Sequence, residues 1–415
     1  MLPGANLKAD THVFLPMGFI LFALFAFGTS QIILLFNTDI LLFGQFRAPS
    51  IWMATHFLLL GFAVMVAMGV MYQLVPAVFS TSIYSETLGF IQLVITVIGF
   101  IGFSLLIGFK PDQAIYGGII VVIGIFIFII QMFLTIRKQK EKNIITSFVL
   151  GALISFLLTI IAGFILAWSL AFGPVQMYQA IFKSHITLGV AGWFSLLIFG
   201  FSYNLVPMFT LSRGFSKKYA KLVFLVYVIG LAILNVSFWM SLPIIQKVGW
   251  LLLLIGFSLF VIDIREILQK RLRRKLDKSL SFALLAILIG LTIHGIAFLL
   301  SIFKFTDPIV WSWLTFFYII GWIIFSILGY LQKLVPFILW THKSAKNSAK
   351  GNIPSITEMI SERLNTILFS LFLIGILGLA VGVVLHMVSV IFIFQLILTV
   401  TVVVYIFSIV RMTFV

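Results

Sequence analysis

The sequence predicts an all-α integral membrane protein with twelve transmembrane helices, organised as pseudo-threefold repeats of four helices. The first observation is composition: 62% of the residues are hydrophobic and 9% are charged, so lipid must solvate most of the apolar surface. The second is a series of hydrophobic runs that each reach the roughly 20 residues needed to cross a bilayer core. The third is a short phrase that occurs three times at nearly constant spacing.

The hydrophobic runs predict the position of each span along the chain. The twelve spans are expected at residues 13–36, 51–75, 88–108, 115–136, 145–171, 180–208, 220–241, 245–264, 280–302, 309–338, 364–385 and 388–410. The first span lacks a small-residue cleavage site after a short apolar core, so we expect it to be retained rather than removed as a signal peptide. Residues 1–415 are therefore expected to form a single transmembrane domain.

The repeated phrase is a polar residue followed by Leu-Val-Pro, and it closes predicted spans two, six and ten. The three prolines, Pro76, Pro207 and Pro336, lie 131 and 129 residues apart. Glycines precede each proline by seven and by fifteen residues: Gly69, Gly61, Gly200, Gly192, Gly329 and Gly321. A period near 130 residues divides the chain into three units. Taken alone, the glycines and prolines are explained by a packing seam that ends in a helix stop.

The polar residue of each phrase needs a separate explanation. These residues are Gln73, Asn204 and Lys333, and polar side chains at membrane depth usually face the protein interior. One interpretation is a polar ring near the cytoplasmic side. For Lys333, snorkelling of the ammonium to the nearby membrane surface is an equally good explanation.

Charge predicts the orientation of the chain. Of the 27 Lys and Arg residues, about 21 fall in the amino-terminal tail, in loops after even-numbered spans and at the carboxyl terminus. This is the positive-inside asymmetry of a multi-pass protein. We expect a cell-membrane location with both termini cytoplasmic, the lipid bilayer as the main partner, and no nucleic-acid partner despite the net charge of +16.

Several kinds of chemistry are disfavoured by what the sequence lacks. It has no cysteine, which excludes disulfides, thiolate-ligated metals and the covalent attachment of c-type haem. It has no Walker loop and no dinucleotide fingerprint. No Asp or Glu falls in the middle of a predicted span, which argues against a transporter driven through an intramembrane carboxylate.

The histidines are the main chemical signal. His12 and His342 fall in polar cytoplasmic segments, where we expect them to be solvated. The other four are His56, His185, His294 and His386, and the predicted topology puts all of them toward the outer half of the membrane. A membrane histidine is often explained by a hydrogen bond to a neighbouring helix or by an interfacial position; the latter suits His386. Otherwise, imidazoles without thiolates suit haem iron or copper.

Twelve spans, threefold repetition and histidines in spans two and six resemble the large subunit of the haem–copper oxidase superfamily, especially the cbb-type oxidase and nitric oxide reductase branch. The resemblance implies that His56 ligates a low-spin haem and that His185 ligates copper. It also implies an adjacent histidine pair in span seven and two histidines in span ten, and both are absent here. His294 in span nine would have to act as the substitute metal ligand. NnrS-type membrane haem proteins, linked to nitric oxide stress, resemble the chain in their small number of ligands.

Two functions follow as hypotheses. The first is an oxidase-like membrane protein that binds haem through His56 and His185, with copper as a second metal, in respiration or nitric oxide handling. Other respiratory membrane subunits would be its partners, and turnover stays open because the expected catalytic histidines are missing. The alternative is a metal-free, permease-like or accessory protein that uses the polar ring of Gln73, Asn204 and Lys333 as a constriction. A partner chain that supplies the missing ligands is a third, less economical explanation, since metal ligands must be held within tenths of an ångström.

Overall fold

The computed structural model describes residues 11–346 and 359–414, and every regular element in these residues is helical. The predicted cytoplasmic tail up to Asp10 lies outside the described residues, as does Glu358. The basic segment Lys343 to Lys350 is described only as helical backbone, and only up to Lys346. The all-α prediction is confirmed.

The described chain contains sixteen α-helices. They are α1 (Phe14–Leu35), α2 (Thr38–Leu42), α3 (Pro49–His56), α4 (Met65–Phe79), α5 (Glu86–Phe109), α6 (Ala114–Arg137), α7 (Ile144–Phe172), α8 (Tyr178–Thr187), α9 (Ser195–Thr210), α10 (Ala220–Met240), α11 (Pro243–Gln269), α12 (Lys278–Ile302), α13 (Pro308–Phe317), α14 (Phe325–Lys346), α15 (Glu362–Val384) and α16 (Val388–Phe414). Several begin at a side-chain cap; Asn143, for example, forms a reciprocal capping box with Thr146 at the start of α7.

Eleven stretches of the described chain are long and apolar enough to cross a membrane. They match eleven of the twelve predicted spans to within four residues at each end, and they indicate a multi-pass membrane protein. The predicted eighth span, 245–264, falls in α11, which is not one of the eleven. This helix is 27 residues long and carries Lys247, Asp263, Arg265 and Glu266.

The three phrase-bearing spans share an unusual backbone. A π-helical stretch interrupts each one: Phe57–Val64 joins α3 to α4, Leu188–Phe194 joins α8 to α9, and Tyr318–Ile324 joins α13 to α14. These spans are also the most enclosed, with 83%, 78% and 78% of their apolar windows buried, against 33–50% for the other eight. The three repeated phrases therefore belong to the innermost helices, and π-helical stretches often occur at functional sites.

The prolines lie inside their helices, so the predicted helix stop is only partly right. Helices α4 and α9 end three residues after Pro76 and Pro207, at residues in the left-handed conformation, Ser80 and Leu211. Helix α14 instead continues for ten residues beyond Pro336. A proline removes one backbone donor and does not by itself end a helix.

The chain divides into two compact units. One consists of Met1–Glu141 with Ile327–Val415, and the other of Lys142–Ser326. The boundary at residue 142 coincides with the end of the first predicted four-helix set. The boundary at residue 326 falls inside the third phrase-bearing span, so this division does not by itself reproduce three equal sets.

The repeated glycines allow close packing against the preceding span, as predicted. A Cβ atom added at one glycine of each phrase would lie 2.7 to 2.9 Å from an atom of that span. The pairs are Gly61 with Ala26 Cβ on α1, Gly192 with Ser155 Cβ on α7, and Gly321 with Ile289 Cγ2 on α12, and all three are the glycine fifteen residues before the proline. Each phrase-bearing span thus contacts the span before it at a point where only glycine fits without a shift.

Candidate functional site

His56 is the last residue of α3 and directly precedes the first π-helical stretch. Its ring is half-buried. Nδ1 lies 2.8 Å from the Trp52 carbonyl oxygen, and the Phe103 ring on α5 packs edge-on at 5.0 Å. A carbonyl can only accept, so Nδ1 carries the hydrogen and Nε2 is the basic nitrogen.

His185 lies on α8, three residues before the second π-helical stretch. Its Nδ1 is 2.9 Å from the Thr159 carbonyl oxygen on α7. The ring rests on Gly163, where an added Cβ would come within 2.8 Å of Cε1. As in His56, a main-chain carbonyl fixes the tautomer that leaves Nε2 basic, which is the usual arrangement for a metal-ligating histidine.

His294 has a protein partner at each of its two ring nitrogens. Nδ1 lies 2.8 Å from the Gly290 carbonyl oxygen, and Nε2 lies 3.2 Å from the Tyr227 hydroxyl on α10. The side chain is 1% exposed and packs against Phe257, with ring centroids 4.5 Å apart. This environment is that of a hydrogen-bonded interior histidine.

A buried polar network continues from His294. The Tyr227 hydroxyl is 3.4 Å from the Tyr318 hydroxyl, which is 2.7 Å from Ser195 Oγ. Ser195 also accepts a hydrogen bond from the Trp322 indole and donates to the carbonyl oxygen of Val190. Tyr318 and Val190 belong to two different π-helical stretches, so the network joins them with side-chain hydrogen bonds.

The remaining histidines are His12, His342 and His386. His386 is exposed and has a left-handed backbone just after α15; its interfacial position stays a prediction. His12 is exposed, and its ring centroid lies 6.1 Å from that of the half-buried His342.

The described residues contain no group of three or more His, Asp or Glu side chains placed to hold a metal ion. His56 belongs to one compact unit, and His185 and His294 belong to the other. His56 and His185 each have the tautomer that is usual for a metal-ligating imidazole, with Nδ1–H bonded to a main-chain carbonyl, so each by itself has the chemistry of an axial haem ligand. The described residues do not fit a three-histidine copper centre.

The predicted polar ring involves residues of both units. Gln73 and Lys333 lie in the first unit and Asn204 in the second. Gln73 is 8% exposed, whereas Asn204 and Lys333 are half-buried. All three residues therefore avoid full exposure, as expected for side chains on enclosed helices.

The residue directly before each phrase makes a side-chain contact with another helix that the sequence interpretation missed. Tyr72, Tyr203 and Gln332 are each 0% exposed. The Tyr72 hydroxyl accepts from Gln131 Nε2 at 2.7 Å, Tyr203 donates to Asp263 Oδ2 at 2.8 Å, and Gln332 Nε2 donates to Ser408 Oγ at 3.0 Å. The partners lie on α6, α11 and α16, the last helix of each predicted set. The sequence did contain a signal for these contacts, since a residue with a hydrogen-bonding side chain directly precedes all three phrases.

Comparison with known proteins found no protein-family model that matches the chain, and no curated protein that is similar to it.

Proposed function

We propose that this chain is an oxidase-like integral membrane protein that binds haem through His56 and His185 and acts in respiration or nitric oxide handling. The observation that carries the proposal is the common tautomer of these two histidines beside a π-helical stretch; the accepting carbonyl belongs to the same helix at His56 and to α7 at His185. Each donates Nδ1–H to a main-chain carbonyl and stands just before a π-helical stretch in an enclosed span. The protein would lie in the cell membrane with both termini cytoplasmic, and other respiratory membrane subunits would be its partners.

The proposed architecture has twelve spans in three related sets of four. Helix α11 would be the twelfth, since 27 residues of α-helix extend for roughly 40 Å. Four features that recur in each set support the repetition: the Leu-Val-Pro phrase, the π-helical stretch, the glycine contact with the first helix and the polar contact with the last.

When bound, haem supplies an iron that changes oxidation state by one electron and binds small gases. The protein's own contribution would be to hold the imidazoles. The carbonyls of Trp52 and Thr159 fix the ring orientations and increase the basicity of Nε2. The surrounding apolar side chains, including Phe103 beside His56, would restrict the access of water. Copper is not included in the proposal, because His294 already has partners at both nitrogens.

The metal-free, permease-like or accessory alternative is favoured by one observation, the hydrogen bonds that both ring nitrogens of the buried His294 make to protein groups. In that case the histidines would serve only as hydrogen-bonding residues, and the polar residues Gln73, Asn204 and Lys333 would form a constriction. The two functions differ in whether the purified protein carries a pigment.

The experiment is an optical spectrum of purified protein, oxidised and reduced, for the parent and for single histidine variants. We expect a Soret band in the parent, loss of most of it in His56→Ala, and a clear reduction in His185→Ala. His386→Ala is the matched control, since this exposed histidine should leave the band intact. An unchanged band in His56→Ala would remove that residue from the site, and a parent without a Soret band would favour the alternative.

A further inference from the structure

Two loops of the second unit carry a dense group of basic side chains. One loop runs from residue 211 to 219 between α9 and α10, and the other from 270 to 277 between α11 and α12. The exposed basic residues of these loops and of the adjoining helix ends are Arg213, Lys218, Lys221, Arg265, Lys270, Arg271, Arg273, Arg274, Lys275 and Lys278. We call this surface the basic platform.

The two loops are joined to each other, so the charges are held in a defined arrangement. The Arg213 amide donates to the Lys270 carbonyl oxygen at 3.4 Å, and the Arg273 amide donates to the Thr210 carbonyl oxygen at 3.2 Å. Lys270 Nζ donates to the Gly214 carbonyl oxygen at 2.6 Å. A basic segment that served only to set topology would not need these bonds between loops.

The nearby acidic side chains accept hydrogen bonds from the loops and helix ends of the platform. Asp263 accepts from the Tyr219 amide, and Glu266 accepts from the amide and hydroxyl of Ser216. Asp277 caps α12 through the Leu280 amide at 3.0 Å. Because these carboxylates are engaged with the loops and helix ends, the outer surface keeps a large positive excess.

Apolar side chains accompany the charges. Leu211 is 51% exposed and Leu272 is 60% exposed, and each lies in one of the two loops. Basic residues beside exposed leucines fit a membrane surface, where the leucines enter the acyl region and the cations meet phosphate groups.

We propose that the basic platform binds an anionic lipid whose headgroup carries two phosphates, in the leaflet that the platform faces. Arg213 and Lys218 are exposed in one loop, and Arg271, Arg274 and Lys275 are exposed in the other. Two groups of cations on loops that are hydrogen-bonded to each other match two phosphates joined by a short covalent linker better than they match separate single-phosphate headgroups. The proposal does not depend on haem binding.

The test uses the purified full-length protein, delipidated in detergent and then exposed to cardiolipin, phosphatidylglycerol or phosphatidylcholine, with retained lipid measured by native mass spectrometry. The platform variant combines Arg213→Gln, Arg271→Gln, Arg274→Gln and Lys275→Gln, none of which takes part in the ion pairs Lys270–Glu266 and Arg273–Asp277. The control variant replaces four exposed cations of another loop: Arg137→Gln, Lys138→Gln, Lys140→Gln and Lys142→Gln.

We expect the parent and the control variant to retain cardiolipin at least tenfold better than phosphatidylglycerol, and the platform variant to lose this preference. Millimolar inorganic phosphate should displace little cardiolipin, because a free ion lacks the second, linked phosphate. Equal loss in both variants would show general charge attraction, and equal retention of cardiolipin and phosphatidylglycerol would show no diphosphate preference. Either result overturns the proposal. Both variants must elute as monodisperse protein, and detection of the Soret band plays no part in the readout.

Discussion

The hydroxyl of Tyr203 donates a 2.8 Å hydrogen bond to Oδ2 of Asp263. Both side chains are essentially inaccessible, at 0% and 1% exposed. Asp263 therefore has a partner inside the protein, and it also accepts from the Tyr219 amide at 3.2 Å. This contact joins α9 to α11 close to the basic platform. Tyr72 and Gln332 make the corresponding contacts in the other two phrase-bearing spans.

Replacing Tyr203 with phenylalanine should destabilise the protein. The change removes the donor to a buried carboxylate, which typically costs about 1–3 kcal/mol. The measurement is the free energy of unfolding in mixed micelles. Tyr116→Phe is the control, because Tyr116 is 64% exposed and should tolerate the loss of its hydroxyl. Equal stability of Tyr203→Phe and the parent would mean that the contact contributes nothing.

The corresponding contact of the first phrase-bearing span can be isolated by a double-mutant cycle. Tyr72→Phe and Gln131→Met each remove one side of the 2.7 Å hydrogen bond from Gln131 Nε2 to the Tyr72 hydroxyl. Because the two side chains touch, we expect a coupling energy of about 0.5–3 kcal/mol in the unfolding free energies. Strictly additive effects would show that the residues do not interact in the folded state.

The packing of His185 on α7 predicts opposite effects for two glycine substitutions. Gly163→Ala places a methyl group 2.8 Å from His185 Cε1, so the ring must move away from the Thr159 carbonyl, at a cost of about 1–3 kcal/mol. Gly295→Ala meets nothing within 4 Å and should be neutral or stabilise α12 by up to about 1 kcal/mol. Thermal unfolding of the two variants compares them directly, and a neutral Gly163→Ala would contradict the described ring position.

His294 should matter for stability and not for pigment. His294→Phe keeps an aromatic ring but leaves the buried Tyr227 hydroxyl without its Nε2 acceptor, which should cost about 1–3 kcal/mol. Haem content per chain should equal that of the parent, because neither nitrogen of His294 is available as a ligand. Loss of haem with unchanged stability would instead make His294 a ligand.

The spans could be predicted because the bilayer leaves few choices. A backbone surrounded by hydrocarbon must satisfy its own hydrogen bonds, so an apolar run of sufficient length becomes a helix. Eleven predicted spans therefore agree with the structure to within four residues. The π-helical stretches were not predicted, although Gly61, Gly192 and Gly321 each lie within one. A shift of one residue in backbone hydrogen bonding has no compositional signature.

Side-chain partners are the part of the site that the sequence could not provide. His294 was predicted as a candidate metal ligand, and its hydrogen-bonding partner Tyr227 lies 67 residues away in the chain, so the sequence contained no sign of that contact. Conversely, the polar residues predicted from the phrases were Gln73, Asn204 and Lys333. The residues that make the interhelical hydrogen bonds are the ones directly before them, Tyr72, Tyr203 and Gln332. Which side of a helix meets which neighbour depends on rotation and packing, and one sequence does not specify that.

The haem-to-protein ratio of the purified chain is the decisive test of the proposed haem binding. The protein would be produced with a supplement of haem precursor, purified to homogeneity and assayed by pyridine haemochrome absorbance against amino-acid analysis. We predict at least one haem per chain, retained through size-exclusion chromatography. A ratio near zero in protein that elutes as a single folded species would show that the chain does not bind haem.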